Sequence, residues 1–190
     1  MKAILTYHSI DDSGSPVSVG ERAWHAHHQW LLSGRVLALT LDEIASHPAD
    51  GADAVAVTFD DGCANTRTAL QDLRSDGIPV TVFVVTGHVG GSNAWGGRPQ
   101  AGIPTLPLLG WRELEDLVSR GTAMGCHTQR HRRLIGLSEA EVDEELRGGA
   151  DDLEGHFGVR AADIAYPYGA VDDTVAARAA RHFRRWLFRF

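Results

Sequence analysis

Residues 80–85, Val-Thr-Val-Phe-Val-Val, form a continuous β-branched and aromatic run between Pro79 and Thr86-Gly87. A short run of this kind without charge reads as a strand buried on both faces, the habit of parallel sheets covered by helices. Residues 55–59, Val-Ala-Val-Thr-Phe, make a second such strand. Further strand signals fall at 3–6, 36–39, 122–126 and 163–166. Helical periodicity falls at 21–32, 41–47, 65–75 and 111–120, then from Ser138 to about 147 with an extension to 154 past Gly148-Gly149, and from Asp172 onward. Strands alternating with helices imply parallel βα units and an α/β fold. No internal repeat interrupts the alternation, and 190 residues suit one domain spanning 1–190.

In such folds ligands bind at the carboxyl ends of the strands. Four groups of polar residues sit there: Tyr7-His8, Asp60-Asp61, His127 through His131, and Tyr166-Pro167-Tyr168-Gly169. Gly62 lets the chain turn sharply after the two acids. Adjacent residues at a strand end point in different directions, so one carboxylate can ligate a metal while the other accepts a proton. His127 and His131 have i, i+4 spacing, and a helical turn there would aim both imidazoles to one side. One Asp and two His leave open positions on a zinc ion, and metal coordination lowers the pKa of water toward about 7. Taken alone, the acid pair could instead cap the following helix, and the histidine pair could be packing.

Thr58-Phe59-Asp60-Asp61-Gly62, His127-Thr128-Gln129-Arg130-His131 and Tyr166-Pro167-Tyr168-Gly169, in that order, resemble three motifs of the polysaccharide deacetylase family, carbohydrate esterase family four. Tyr7-His8-Ser9-Ile10 and Phe83 through Gly87 also resemble family segments, so the likeness runs to about residue 180. The resemblance implies a distorted (β/α) barrel and metal-dependent removal of acetyl groups from N-acetylated, or O-acetylated, carbohydrate. Carried over by position, Asp60 is the general base that activates water at the metal. Asp61, His127 and His131 hold a divalent metal, zinc in the usual case. The backbone N–H of Tyr168 stabilises the oxyanion, and His8, Pro167 and Tyr168 line the substrate. The partner implied is an acetylated glycan.

Two departures from the family pattern stand out. Ala165 occupies a position where many members carry an arginine that contacts the base. The family continues through further strands bearing an acetyl-pocket residue and a late histidine acid, whereas this sequence ends at Phe190. About six strands are legible, against a full barrel of about 250 residues. The basic, aromatic stretch 181–190 does not read as a strand. Two expectations follow for it: a barrel incomplete at its C-terminus, or a helix end packed over the opening. His182 falls inside the expected helix, away from the role of the late acid. Three functions remain open: a carbohydrate deacetylase, a hydrolase of another C–N bond in a small substrate, and an impaired relative that binds metal or sugar without turnover.

Other features bound the answer. A formal charge of −7 argues against a nucleic-acid partner. Cys63 and Cys126 form no CxxC pair, so a disulfide framework is not expected, and Cys126 reads as a small buried residue. Residues 1–8 do not resemble a signal peptide and no run approaches a membrane span, which makes cytoplasmic the default. The glycine-rich loop 87–109, with Pro99, Pro104 and Pro107, is long enough to be functional. Histidines 25, 27 and 28 read as the solvated side of an amphipathic helix, and the acids from Glu139 to Glu145 as a solvated helix face.

Overall fold

The computed structural model describes residues 1–187. Nine strands occur in chain order: β1 Lys2–Tyr7, β2 Ser9–Ile10, β3 Ser18–Val19, β4 Leu37–Ala38, β5 Ala54–Phe59, β6 Val80–Val84, β7 Ala123–Cys126, β8 Asp163–Ala165 and β9 Arg185–Leu187. Six helices connect them: α1 Glu21–Leu32, α2 Leu41–Ser46, α3 Arg67–Ser75, α4 Trp111–Ser119, α5 Glu139–Phe157 and α6 Asp173–Ala179.

Seven strands form one parallel sheet in the order β1-β5-β6-β7-β8-β9, with β4 also pairing β5. Leu37 and Ala38 of β4 pair with Ala54 and Val55, the amino half of β5. β6 pairs with its carboxyl half, from Val57↔Val80 to Phe59↔Val82. β1 runs beside β5 for six residue pairs. Among the described residues no ladder joins β9 to β1, so the sheet curves without closing. This is the incomplete (β/α) barrel that the sequence implies.

Period-two alternation divides the strands between two cores. Val55, Val57 and Phe59 of β5, with Val80, Val82 and Val84 of β6, face outward onto Leu70, Leu73, Leu114 and Leu117 of the helices. Ala54, Ala56, Phe83 and Ala165 point inward with Leu41 and Ile44. The inward set is small except for Phe83. Gly125 makes room for that ring, since a Cβ there would lie 2.3 Å from Phe83 Cε1. Asp60 and His127 continue the inward parity of β5 and β7. They therefore arrive at the mouth of the barrel, not in the helical layer.

The structure corrects the reading of the C-terminal stretch. The helix stops at Ala179, Phe183 is buried, and residues 185–187 form a strand paired with β8. The first residue of that strand is Arg185, whose guanidinium binds Asp163 in a bidentate pair and also reaches Asp42 of α2. Residues 188–190, the rest of the aromatic tail, lie outside the described residues. His182 lies in the turn after α6, not in a helix.

The strand expected at 36–39 is only two residues long, and the β2–β3 pair lies in a stretch read as a turn-rich loop. α5 runs unbroken through Gly148-Gly149. Capping boxes at Thr40/Glu43 and Ser138/Glu141 start α2 and α5. No described helix is long and apolar enough to cross a membrane.

Candidate functional site

A cavity of about 220 Å³ opens at the carboxyl ends of the central strands. β5 delivers Asp60 and Asp61 to its wall. Asp60 N–H bonds the carbonyl of Tyr7 at 2.8 Å, which extends the β1 ladder by one step. Asp61 then adopts φ +70° and Gly62 φ +77°, closing a tight turn in which Gly62 N–H bonds the Asp60 carbonyl. This turn separates the two carboxylates. Asp60 Oδ2 lies 4.0 Å from His8 Nε2, beyond hydrogen-bond range. Asp61 Oδ1 lies 3.5 Å from His127 Nε2 and 3.3 Å from His131 Nε2.

The two histidines do not share a helical turn. Thr128 and His131 both take left-handed conformations, φ +66° and +58°, in an irregular loop after β7. Thr128 Oγ1 accepts the His131 N–H at 3.1 Å and holds the loop in that shape. His127 Nδ1 lies 2.8 Å from the Ala165 carbonyl oxygen and donates to it. Its Nε2 lone pair is therefore free to face Asp61.

The ligand atoms of Asp61, His127 and His131 all lie within 4.8 Å of one another, and all three residues are buried. Asp61 Oδ1 has no hydrogen-bond partner of good geometry. A buried carboxylate oxygen beside two imidazole nitrogens is a group that could hold a divalent metal. Electrostatics agree. Burial, and after it the neighbouring His131, pushes His127 down to about 3, so it is neutral as a ligand must be. Burial resists ionisation of Asp61, yet the neighbouring imidazoles, His131 first and then His127, outweigh it and hold the carboxyl at about 2.

Tyr168 follows β8 with φ +61°, and its ring meets His131 edge-on at 4.8 Å. Its side chain is exposed and lines the cavity with His8. Pro167 is buried and does not line the cavity, so of the expected substrate residues it is the one set back. Ala165 lines the cavity wall. Asp61, Thr128, His131 and Tyr168 are the four non-glycine residues with positive φ among those described. Each such residue costs about 1–2 kcal/mol, and all four belong to the site or to the loop that carries a ligand.

Two contributors escape a reading of the sequence. Trp95, from the long loop, stacks on His131 with ring centroids 4.3 Å apart. The loop is tied to the site by Leu109 N–H to the Gly62 carbonyl, and it is held together internally by Asn93, whose side chain bonds Leu106 N–H and the Pro104 carbonyl. The loop's length signals function, but nothing local marks Trp95. Glu145 is the second. It is fully buried against the 127–131 loop, not on a solvated helix face. Of the helix α1 histidines, His25 and His27 are exposed, while His28 pairs with Asp76 at 2.9 Å.

The family model for polysaccharide deacetylase matches residues 47–184. Poly-β-1,6-N-acetyl-D-glucosamine N-deacetylase of Staphylococcus aureus (strain MSSA476) is 27% identical over 169 residues, covering 82% of this chain and 55% of that protein. The chain thus spans about half the length of the curated relatives it matches. Among solved structures, Streptococcus pyogenes deacetylase PplD in complex with acetate superposes with TM-score 0.78 at 21% identity, over 96% of this chain and 81% of that one. IcaB from Ammonifex degensii gives 0.77 at 24% identity, over 95% and 80%. At these identities the structural likeness is one of fold.

Proposed function

This chain belongs to the polysaccharide deacetylase family, and we propose that it acts within it as a metal-dependent hydrolase removing acetyl groups from N-acetylated carbohydrate. The observation that carries this reading is the convergence of one buried carboxylate and two buried imidazoles, Asp61, His127 and His131, in the cavity that also holds Asp60. The name of the Staphylococcus aureus relative makes β-linked poly-N-acetylglucosamine the first substrate to test. In this reading residues 1–190 serve as one catalytic domain.

Asp61, His127 and His131 would hold the ion, zinc by preference for this donor set with open positions. When bound, it supplies Lewis acidity, polarising the acetyl carbonyl and making hydroxide available at neutral pH. Asp60 takes the proton of the attacking water as the C–O bond forms. The backbone N–H of Tyr168 donates to the carbonyl oxygen as it gains negative charge; one such donor is typically worth about 10²–10³ in rate. The C–N bond then breaks, acetate forms, and the amine leaves with a proton, for which protonated Asp60 is a source within the cavity. His8 and Tyr168 flank the sugar. Trp95 covers the outer face of His131 and excludes water from it.

The test is metal content of protein purified without chelator, together with acetate release from poly-β-1,6-N-acetylglucosamine and chitooligosaccharides. One equivalent of metal, with acetate release abolished by chelator and restored by zinc, is the expected result. Acetate release indifferent to chelator, or no metal retained, overturns it. Metal bound without acetate from any acetylated glycan would favour the impaired, binding-only relative.

A further inference from the structure

We propose that Glu145 is a positioning residue that sets the metal ligand His131, an inference that rests on the metal reading above. α5 packs Val142, Leu146, Gly149, Ala150 and Leu153 into the core, and Glu145 lies among them with 0% of its surface exposed. An apolar side chain would be the default there, because a buried carboxylate is costly unless it makes specific bonds.

The bonds it makes are all to the loop between the two histidines. Its Oε2 accepts the backbone N–H of Arg130 at 2.8 Å. Its Oε1 lies 3.4 Å from Arg130 Nη1. Its own backbone carbonyl accepts the N–H of Gln129 at 3.1 Å. One helical residue thus captures two successive amides immediately before His131.

The helix is shaped for this contact. A Cβ on Gly149 would stand 2.6 Å from Cys126 Sγ and 3.1 Å from the carbonyl carbon of Thr128, and one on Gly148 would stand 2.7 Å from Gln129 Cδ. Two turns beyond Glu145, Asp152 accepts bonds from Gln129 Nε2 at 3.2 Å and Thr86 Oγ1 at 2.7 Å. The loop held this way contains the left-handed residues Thr128 and His131, a conformation that persists only where surrounding contacts over-determine it. Without the Glu145 carboxylate the Arg130 N–H loses its acceptor. The loop then relaxes, and His131 Nε2 leaves its place 3.3 Å from Asp61 Oδ1.

Glu145→Met keeps an unbranched side chain of similar volume in the apolar setting and deletes only the acceptors. Glu145→Gln keeps an oxygen for the Arg130 N–H. Arg130→Ala removes the guanidinium but leaves that N–H. The readouts are cobalt(II) and zinc affinity by competition with a chromophoric chelator, the cobalt visible spectrum, and thermal unfolding of the metal-free proteins. The expected result is that Glu145→Met binds metal about 10–100-fold more weakly, the usual scale for groups that orient a ligand, with an altered cobalt spectrum. Glu145→Gln should recover most of the affinity, and Arg130→Ala should stay near wild type. Wild-type metal affinity and spectrum in Glu145→Met, with only the melting temperature lowered, would make Glu145 a packing residue and overturn the proposal. Wild-type protein that binds neither cobalt nor zinc would instead overturn the metal reading beneath it. Because these readouts need no turnover, absence of acetate release leaves the test intact.

Discussion

His127 donates its Nδ1–H to the carbonyl oxygen of Ala165 at 2.8 Å, and this one bond sets which nitrogen faces Asp61. The bond ties the end of β7 to the end of β8, so the ring is oriented by sheet geometry. A histidine held in this way is a better ligand, because the outer bond fixes tautomer and direction together.

The same burial makes stability depend on pH. His127 stays neutral in the folded protein down to about 3, whereas an unfolded chain titrates near 6.5. Between those values the unfolded state binds the extra proton, so stability is present above about 6.5 and is lost as pH falls toward 3. Asp61, held at about 2, adds a loss of the same sign below its ordinary value. The melting temperature of metal-free protein should therefore fall on acidification through this window. His127→Asn should flatten the dependence, and an equally steep slope in that variant would refute the assignment.

Asp60 and Asp61 should separate cleanly in function. Asp60→Asn is expected to keep its metal and lose turnover by about 10²-fold or more, the scale of a general base. His131→Ala is expected to lose the metal. Metal analysis beside acetate release checks both, and full rate in Asp60→Asn would remove Asp60 from the role of base.

Gly149 and Gly155 lie on the same helix but should behave oppositely. A Cβ at Gly149 meets Cys126 and the Thr128 backbone, while one at Gly155 meets nothing within 4 Å. Gly149→Ala should cost about 1–3 kcal/mol through overpacking. Gly155→Ala should gain about 0.5–1 kcal/mol from helix propensity. Urea denaturation of both variants measures the difference, and equal effects would show that the helix tolerates displacement from the ligand loop.

Trp95 stacks on a candidate ligand and should report metal binding directly. Cobalt(II) is expected to quench tryptophan fluorescence, and Trp95→Phe should remove most of that quenching while leaving metal content unchanged. Quenching that persists in full would place the loop away from the ligand in solution.

Much of the fold was legible because its signals are local. The apolar runs at β5 and β6 specify strands buried on both faces, and helical periodicity between strands specifies parallel connections. β9 was not legible. It opens on an arginine in a basic stretch, and Asp163 and Asp42, brought to that charge by the fold, make its partial burial tolerable. The paired strand then extends the sheet where a local reading continued a helix.

The candidate site divides along the same line. Residue types and their order, two acids after one strand and two histidines after another, are properties of the chain, and they named the donors and the family resemblance. The geometry that makes a ligand set of them came from elsewhere. Spacing of i, i+4 pointed to a helical turn, but Thr128 and His131 are left-handed, as are Asp61 and Tyr168. None of these is glycine, so no local preference announces the conformation. In the 128–131 loop it is held by Glu145 from 15 residues away and by Thr128 Oγ1, while Ala165 orients His127 from 38 residues away and Trp95 closes over His131 from the long loop. The sequence by itself determined which atoms could bind a metal and where along each strand they fall. Only the tertiary structure decided that they converge, because convergence depends on hydrogen bonds between segments that become neighbours after the sheet has formed.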